Sequence, residues 1–361
     1  MAGTTALVLV GLLIARLRLA RARKRIALRI HVGGTRGKSS TTRLIADTLR
    51  ASGIATIAKT TGTEPLLLMP DGTELAWRRF GPASIAEQIR FMRLAQRGDA
   101  RAVVLECMAV RPELVWASEH LIVNATIAVI TNTRADHLED GGTAPSFIAL
   151  VPAHGTLVAD SAAITEALVK AAAERGSRLV PVDTAGLAPD AANVAIARAV
   201  CEIVGIPGGG MPAAATPANR DPGAFFIKSL AVGPKSLRFA NAFACNDVES
   251  LTLLLETHAH ATDTLVMALN HRNDRPLRSL QFLEHIASRP KRPALVIING
   301  STWLRRAARR RGLAAASVRV GGDAQAGLRA LAENVPDNAF VWGVGNFHGA
   351  GARLARAARE S

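Results

Sequence analysis

Residues 28–51, LRIHVGGTRGKSSTTRLIADTLRA, restrict the fold more than any other stretch of the chain. Leu28–Gly33 reads as a buried strand, a glycine-rich turn follows, and Lys38-Ser39 opens an amphipathic helix over about 37–51. A strand handed to a helix through such a turn belongs to an open parallel α/β sheet. The turn also carries chemistry. Glycines let backbone N–H groups approach phosphate oxygens, and the helix N-terminus adds partial positive charge. Lys38 then reaches the terminal phosphates and the Ser39 hydroxyl ligates a divalent cation. The spacing GxxxxGK[ST] requires glycine where Val32 stands, so the loop is a shorter GxxGKS beginning at Gly34. Gly34, Thr35, Arg36, Gly37, Lys38, Ser39 and Ser40 are the candidate nucleotide contacts; an ordinary glycine-rich turn is the alternative.

The rest of the chain extends the pattern. Short apolar runs at 56–58, 102–107, 125–131, 155–160 and 178–182 alternate with helical patterns at 84–97, 163–174 and 190–204. A Gly/Pro-rich stretch, 205–223, interrupts, and the alternation resumes with strands at 236–240, 264–270, 294–300, 317–320 and 339–345. Helical patterns fall at 247–259, 278–288, 323–333 and 348–359. The expected organisation is an N-terminal hydrophobic helix and basic segment (1–28), a central phosphate-loop ATPase domain with a parallel-rich sheet (29–233), and a smaller Rossmann-like α/β domain (234–361). At 361 residues with 49% hydrophobic content, the chain has ample material for two such cores.

Charge and rare residues narrow the function. Cys107, Cys201 and Cys245 form no CxxC pair, which disfavours a zinc ribbon and fits a reducing compartment. Tyrosine is absent and aromatic residues are 4%, which argues against nucleic acid as a partner. The net charge is +15, and the first 29 residues hold Arg16, Arg18, Arg21, Arg23, Lys24, Arg25 and Arg29 with no acid. They follow an apolar run, 4–15, short for a span of about 17–25 residues. Charges after the run predict an uncleaved anchor holding the protein at the cytoplasmic face of the membrane. A basic amphipathic helix lying on a membrane or partner is the alternative. A second cluster, Arg305, Arg306, Arg309, Arg310 and Arg311, reads as a solvated helix face, with an acidic polymer or lipid headgroups as the other reading.

A nucleoside triphosphate needs a metal. Glu106 ends the strand run AVVLEC and His137 ends TNTRADH, both beyond strand termini, where open parallel sheets place their ligands. Ser39, Glu106 and His137 are the candidate Mg²⁺ or Mn²⁺ ligands, with Asp136 orienting the imidazole. Lys38, Glu106 and His137 form the candidate catalytic set.

GGTRGKSS, KTTGTEP (59–65), ECMAVRPE (106–113), TNTRADHLED (131–140), DPGA (221–224), NAFACNDVES (241–250) and GVGNFHGA (343–350) occur in one order. This set resembles the ligase-subunit family of poly-γ-glutamate synthases (the PgsB/CapB type) in the Mur ligase superfamily, from about residue 28 to the C-terminus. The resemblance implies an ADP-forming carboxylate–amine ligase: ATP phosphorylates a γ-carboxylate, the amine of glutamate attacks the acyl phosphate, and an amide forms as phosphate leaves. It implies phosphate or acceptor contacts at Lys59, Thr60, Thr61 and Thr63, and an adenine contact at Asn193. Asn241, Asn246 and Asp247 correspond to the start of the domain that closes over the nucleotide. Arg272, Asp274, Arg275, Asn346 and His348 correspond to acceptor or polymer contacts, with loop hydrogen bonding as the alternative. Glutamate, the growing polymer and small membrane subunits are the implied partners, and a homo-oligomer stays open.

The sequence departs from the superfamily pattern in three places. No lysine lies between Lys59 and Lys170 to carry a carbamate for a second metal. Phe226, with Lys228 nearby, stands where an arginine near the γ-phosphate is expected. The phosphate loop begins at residue 33, so a UDP-muramyl substrate is not expected. Two other functions compete: a Mur-type ligase with another acceptor, and a phosphate-loop ATPase driving a membrane export partner without bond formation.

Overall fold

The computed structural model describes residues 2–61, 65–79, 81, 83–133, 144–207, 223–245, 247–271, 276–290, 292–299 and 302–361. The chain forms two compact units, Met1–Pro217 and Ala218–Ser361.

The first unit is a three-layer α/β/α assembly. Its strands are β1 (Leu28–Gly33), β2 (Thr56–Lys59), β3 (Leu66–Leu68), β4 (Glu74–Ala76), β5 (Ala102–Glu106), β6 (Ile127–Ile130), β7 (Thr156–Asp160) and β8 (Arg178–Val182). Their order in the sheet is β4-β3-β2-β5-β1-β6-β7-β8. All neighbours from β2 to β8 run parallel; β3 and β4 add an antiparallel edge. β1 lies between β5 and β6, so chain order reverses around it. The carboxyl ends of these three strands therefore frame the crevice where such sheets bind ligands.

The helices of this unit are α1 (Ala2–Arg25), α2 (Lys38–Ala51), α3 (Ala86–Arg97), α4 (Pro112–Trp116), α5 (Ala144–Ala149), α6 (Glu166–Glu174) and α7 (Pro189–Ile203). α4 runs into a wide π turn, Ala117–Val123. α7 buries Asn193, Ile196, Ala197, Val200 and Cys201, the i, i+3, i+4, i+7, i+8 spacing of one helical face. α2 and α7 cover one side of the sheet through Leu44, Ile45 and Leu49, packed with Ile30, Val32, Val104 and Val129. Val103, Leu105 and Ile57 face the other way, against Phe91 and Met92 of α3.

Of the N-terminal expectation, the helix is present and a membrane span is not shown. α1 has 24 residues, but among the described residues no helix is long and apolar enough to cross a membrane. Arg16 and Arg18 interrupt the apolar run, and Leu19, Ala22 and Ile26 are buried in the unit's own core. Arg23 donates from Nε to Ile122 O at 3.0 Å and from Nη2 to Leu121 O. The basic end of α1 is thus part of the globular fold, while Val10, Leu13, Ile14 and Leu17 stay exposed.

The second unit has strands β9 (Ile227–Val232), β10 (Lys235–Asn241), β11 (Leu265–Asn270), β12 (Ala294–Ile298), β13 (Ala315–Val318) and β14 (Ala339–Val344), ordered β13-β12-β11-β14-β10-β9. Only β9 is antiparallel, paired with β10. This pairing moves the expected 233/234 boundary to 217/218, because β9 hydrogen-bonds into the second sheet. Helices α8 (Val248–His258), α9 (Pro276–Ser288) and α10 (Thr302–Arg310) pack on one face, and α11 (Ala324–Glu333) and α12 (Ala350–Glu360) on the other.

One buried ion pair ties the first unit together beneath the sheet. His31 Nδ1 lies 2.7 Å from Glu119 Oε2, both side chains fully buried, and Glu119 Oε1 accepts from Ala125 N at 2.8 Å. Burial alone lowers the His31 pKa, but neighbouring Cys107 and Glu119 outweigh it and push it up to about 10. A raised histidine pKa contributes stability that is full below about 6.5 and disappears as pH rises through about 10. Breaking such a pair costs about 3–5 kcal/mol. Glu119→Gln should therefore lower unfolding free energy markedly at pH 6.5, with the gap to wild type narrowing toward pH 10 in urea titrations. A gap independent of pH would show that the pair is not ionic.

Candidate active site

The phosphate loop leaves β1 at Gly33 and enters α2 at Lys38. Two glycines make it possible. Gly34 has φ +123° and its absent Cβ leaves room for Thr131; Gly37 has φ +77° and abuts the Asn193 side chain. Any larger residue at either position meets both backbone strain and a collision. The far wall of the loop comes from the end of β6. Thr35 N donates to Asn132 O at 3.0 Å, Arg36 N to Asn132 Oδ1 at 3.0 Å, and Asn132 Nδ2 to Arg36 O at 3.0 Å. Thr131 Oγ1 also donates to Arg36 O. These bonds fix the loop without using the first turn of α2, whose N-cap position, Gly37, has no side chain to cap it. The N–H groups of a first helical turn have no intrahelical acceptor and suit an anion.

Lys38 curls back over this loop. Its Nζ donates to Gly34 O at 2.8 Å and Thr35 O at 3.1 Å, contacts an ammonium can exchange for phosphate oxygens. Ser39 Oγ donates to Glu106 Oε2 at 2.8 Å, and Thr61 N donates to the same oxygen at 2.7 Å. Glu106 is buried at the end of β5, one strand from the loop. A carboxylate and a hydroxyl brought together from separate elements are hard oxygen donors, the set Mg²⁺ or Mn²⁺ prefers, so the residues present fit a divalent cation. His137 and Asp136 lie outside the described residues, as do Thr63, Asn246, Arg272, Asp274 and Arg275.

Two of the expected contact residues are buried among protein groups. Lys59 has no exposed surface. Its Nζ lies 3.1 Å from Glu87 Oε2 and 5.0 Å from the centre of the Trp77 ring, while Arg79 Nε bonds Glu87 Oε1 at 2.9 Å. Burial lowers the Lys59 pKa, with Glu87 opposing. Lys59 sits at the start of the segment whose Thr60 bonds Leu66 and whose Thr61 bonds Glu106. Asn193 is 7% exposed and presses on Gly37, with Thr41 Oγ1 3.4 Å from its Oδ1. It buttresses the loop from α7. The roles of Thr131, Asn132 and Glu87 are not among the sequence expectations, although the TNTRADH motif carries a signal for the first two.

In the second unit, Asp247 caps α8: Ser250 N donates to its Oδ1 at 2.7 Å and Ser250 Oγ to its Oδ2 at 2.9 Å. Asn241 Nδ2 donates to Ala224 O at 2.9 Å. Asn270, ending β11, donates to Asn346 O at 2.6 Å and His348 O at 3.0 Å, joining two loops at the carboxyl edge of this sheet. The His348 side chain is exposed. Phe226, where arginine was expected, lies 4.9 Å below the Arg359 guanidinium, and Lys228 Nζ donates to Arg359 O at 2.7 Å. Lys228 therefore holds α12 to β9.

Comparison with known proteins agrees with these two units. Residues 32–177 match the Mur ligase middle domain, and residues 227–361 match the poly-gamma-glutamate synthase CapB C-terminal domain. The chain is 28% identical to the capsule biosynthesis protein CapB of Bacillus anthracis over 349 residues, covering 90% of this chain and 75% of that protein. It is 29% identical to the PGA synthase CapB of Bacillus subtilis (strain 168) over 300 residues, covering 77% and 76%. Among solved structures, bifunctional folylpolyglutamate synthase/dihydrofolate synthase from Yersinia pestis, complexed with AMPPNP and Mn ion, shares the fold. Its TM-score is 0.63 at 15% identity, covering 96% of this chain and 93% of that one. The phosphate loop, the strand order around it and both domain matches converge: the first unit carries a Mur ligase middle domain at 32–177, the second a CapB-type C-terminal domain at 227–361, and the chain is similar over most of its length to the CapB proteins.

Proposed function

We propose that this chain is an ATP-dependent, ADP-forming amide ligase that extends poly-γ-glutamate. The observation that carries the reading is the meeting of Lys38, Ser39, Glu106 and the Thr61 N–H around one glycine loop, in a chain similar to the CapB proteins. The γ-phosphoryl group of ATP passes to a carboxylate of the growing chain, releasing ADP. The free amine of glutamate attacks the acyl carbon, loses a proton, and expels inorganic phosphate as the amide forms. Ser39 and Glu106, with His137 as the further proposed ligand, would hold a divalent cation, which would supply neutralisation of the phosphate charge. Lys38 and the first turn of α2 stabilise the charge that develops on the transferring oxygens. Asn193, Thr131 and Asn132 hold the loop. Asn246, Asp247, Arg272, Arg275 and His348 are the further proposed nucleotide and acceptor contacts.

Small membrane subunits and work at the cytoplasmic face of the membrane are proposed with it. Their support is the exposed apolar surface of α1, at Val10, Leu13, Ile14 and Leu17, beside its basic residues. Incubating purified protein with ATP, Mg²⁺ and glutamate should yield a product ladder spaced by one glutamyl residue in mass spectrometry. Glutamate returned unchanged, with or without membranes of the source cells, would overturn the polymerase reading.

A further inference from the structure

Helix α10 carries a charge pattern that the fold does not need. Arg305, Arg306, Arg309 and Arg310 are all exposed, and among the described residues none of them is in an ion pair. Only the following Arg311 is neutralised, by Glu284 at 2.8 Å. Between Glu284 and Asp323 the sequence contains no acid. Arg305/Arg309 and Arg306/Arg310 are like-charge pairs at i,i+4, an arrangement that disfavours a helix. Arg305 and Arg306 also lie toward the N-terminal half of the helix, where the dipole gains nothing from a cation.

The face has a direction and a chemistry. α10 follows β12, so its start lies at the carboxyl edge of the sheet, and Trp303 there meets His271, just beyond β11, edge-on at 5.3 Å. From that edge two guanidinium rows run along the helix at steps of about 6 Å. Guanidinium groups bind carboxylates through paired N–H donors, so repeated arginines suit a repeated carboxylate. The apolar side of α10, Leu304 and Ala308, is fully buried, and Trp303 is the one large apolar side chain of the helix left exposed, which is less than the stripe that inserts into a bilayer.

Resting on the ligase reading above, we propose that the exposed arginine face of α10 is the docking track for the polyanionic product, gripping carboxylates of the growing chain away from the reacting end. Such a grip retains the polymer between additions. It predicts affinity that rises with polymer length and falls steeply with salt.

The test uses the full chain and fluorescently labelled poly-γ-glutamate of short and long defined lengths. The quadruple variant Arg305→Gln, Arg306→Gln, Arg309→Gln, Arg310→Gln should bind the long polymer at least tenfold more weakly. ADP release with a short acceptor should stay within twofold of wild type, and product length should fall. The corresponding four Arg→Lys changes should keep most of the binding, which separates loss of charge from loss of folding. Equal polymer affinity in wild type and the Gln variant would overturn the proposal. So would unchanged polymer binding with lost binding to phosphatidylglycerol-containing vesicles, which would assign the face to lipid. The binding readout needs no turnover. A wild type that binds polymer through α10 but releases no glutamate-dependent ADP would sink the ligase reading alone.

Discussion

Lys38→Ala should reduce ATP turnover by roughly 10²–10³-fold, the loss typical of removing one preorganised charge stabiliser at a transferring group. The loop's shape does not depend on this side chain. Asn132 and Thr131 bind the backbone of Thr35 and Arg36, and Asn193 packs on Gly37. The Lys38 ammonium bonds the carbonyls of Gly34 and Thr35, which water can solvate at a partly exposed site. The variant should therefore unfold at the wild-type temperature while its ADP release collapses. Normal turnover would remove Lys38 from the mechanism. A large fall in thermal stability would show that the lysine is part of the scaffold.

Glu106→Gln should have the second large effect, about a 10²-fold loss that excess Mg²⁺ or Mn²⁺ partly restores. The amide is close to isosteric, and its oxygen can still accept from Ser39 Oγ and Thr61 N. What disappears is the negative charge buried one strand from the phosphate loop. The readout is the concentration of Mg²⁺ giving half-maximal ADP release, which should rise. An unchanged metal requirement accompanied by lower activity would instead mean that Glu106 positions Ser39 and Thr61 without touching a cation.

What the sequence disclosed and what it hid follow a physical division. The path from β1 through the loop to α2 was legible because every determinant is local: buried strand residues, glycines at two positive-φ positions, Lys-Ser, and a 3.6-residue apolar period. The parallel alternation of the second unit was legible for the same reason. The β3–β4 hairpin was not, since each strand has three residues; Asp71-Gly72, with Gly72 at φ +88°, was its only signal. β9 escaped because it follows the Gly/Pro-rich stretch and owes its existence to pairing with β10.

Side-chain destinations were less legible still. A lysine beside threonines near a phosphate loop suggests an anion, yet Lys59 meets Glu87 and Trp77, which arrive from 18 or more residues downstream. The packing of α1 was equally hidden. Hydropathy counted Leu19 as apolar, but nothing local indicated that Leu19 and Ile26 would join Phe91 and Met92 in the unit's core.

Trapping the activated carboxylate tests the central claim most directly. Purified protein is incubated with ATP, Mg²⁺ and glutamate in the presence of hydroxylamine, with Lys38→Ala as the control, and both ADP and hydroxamate are measured. Glutamate-stimulated ADP release with hydroxamate formation, both absent in the control, is the expected result. ADP release indifferent to glutamate and free of hydroxamate would contradict it.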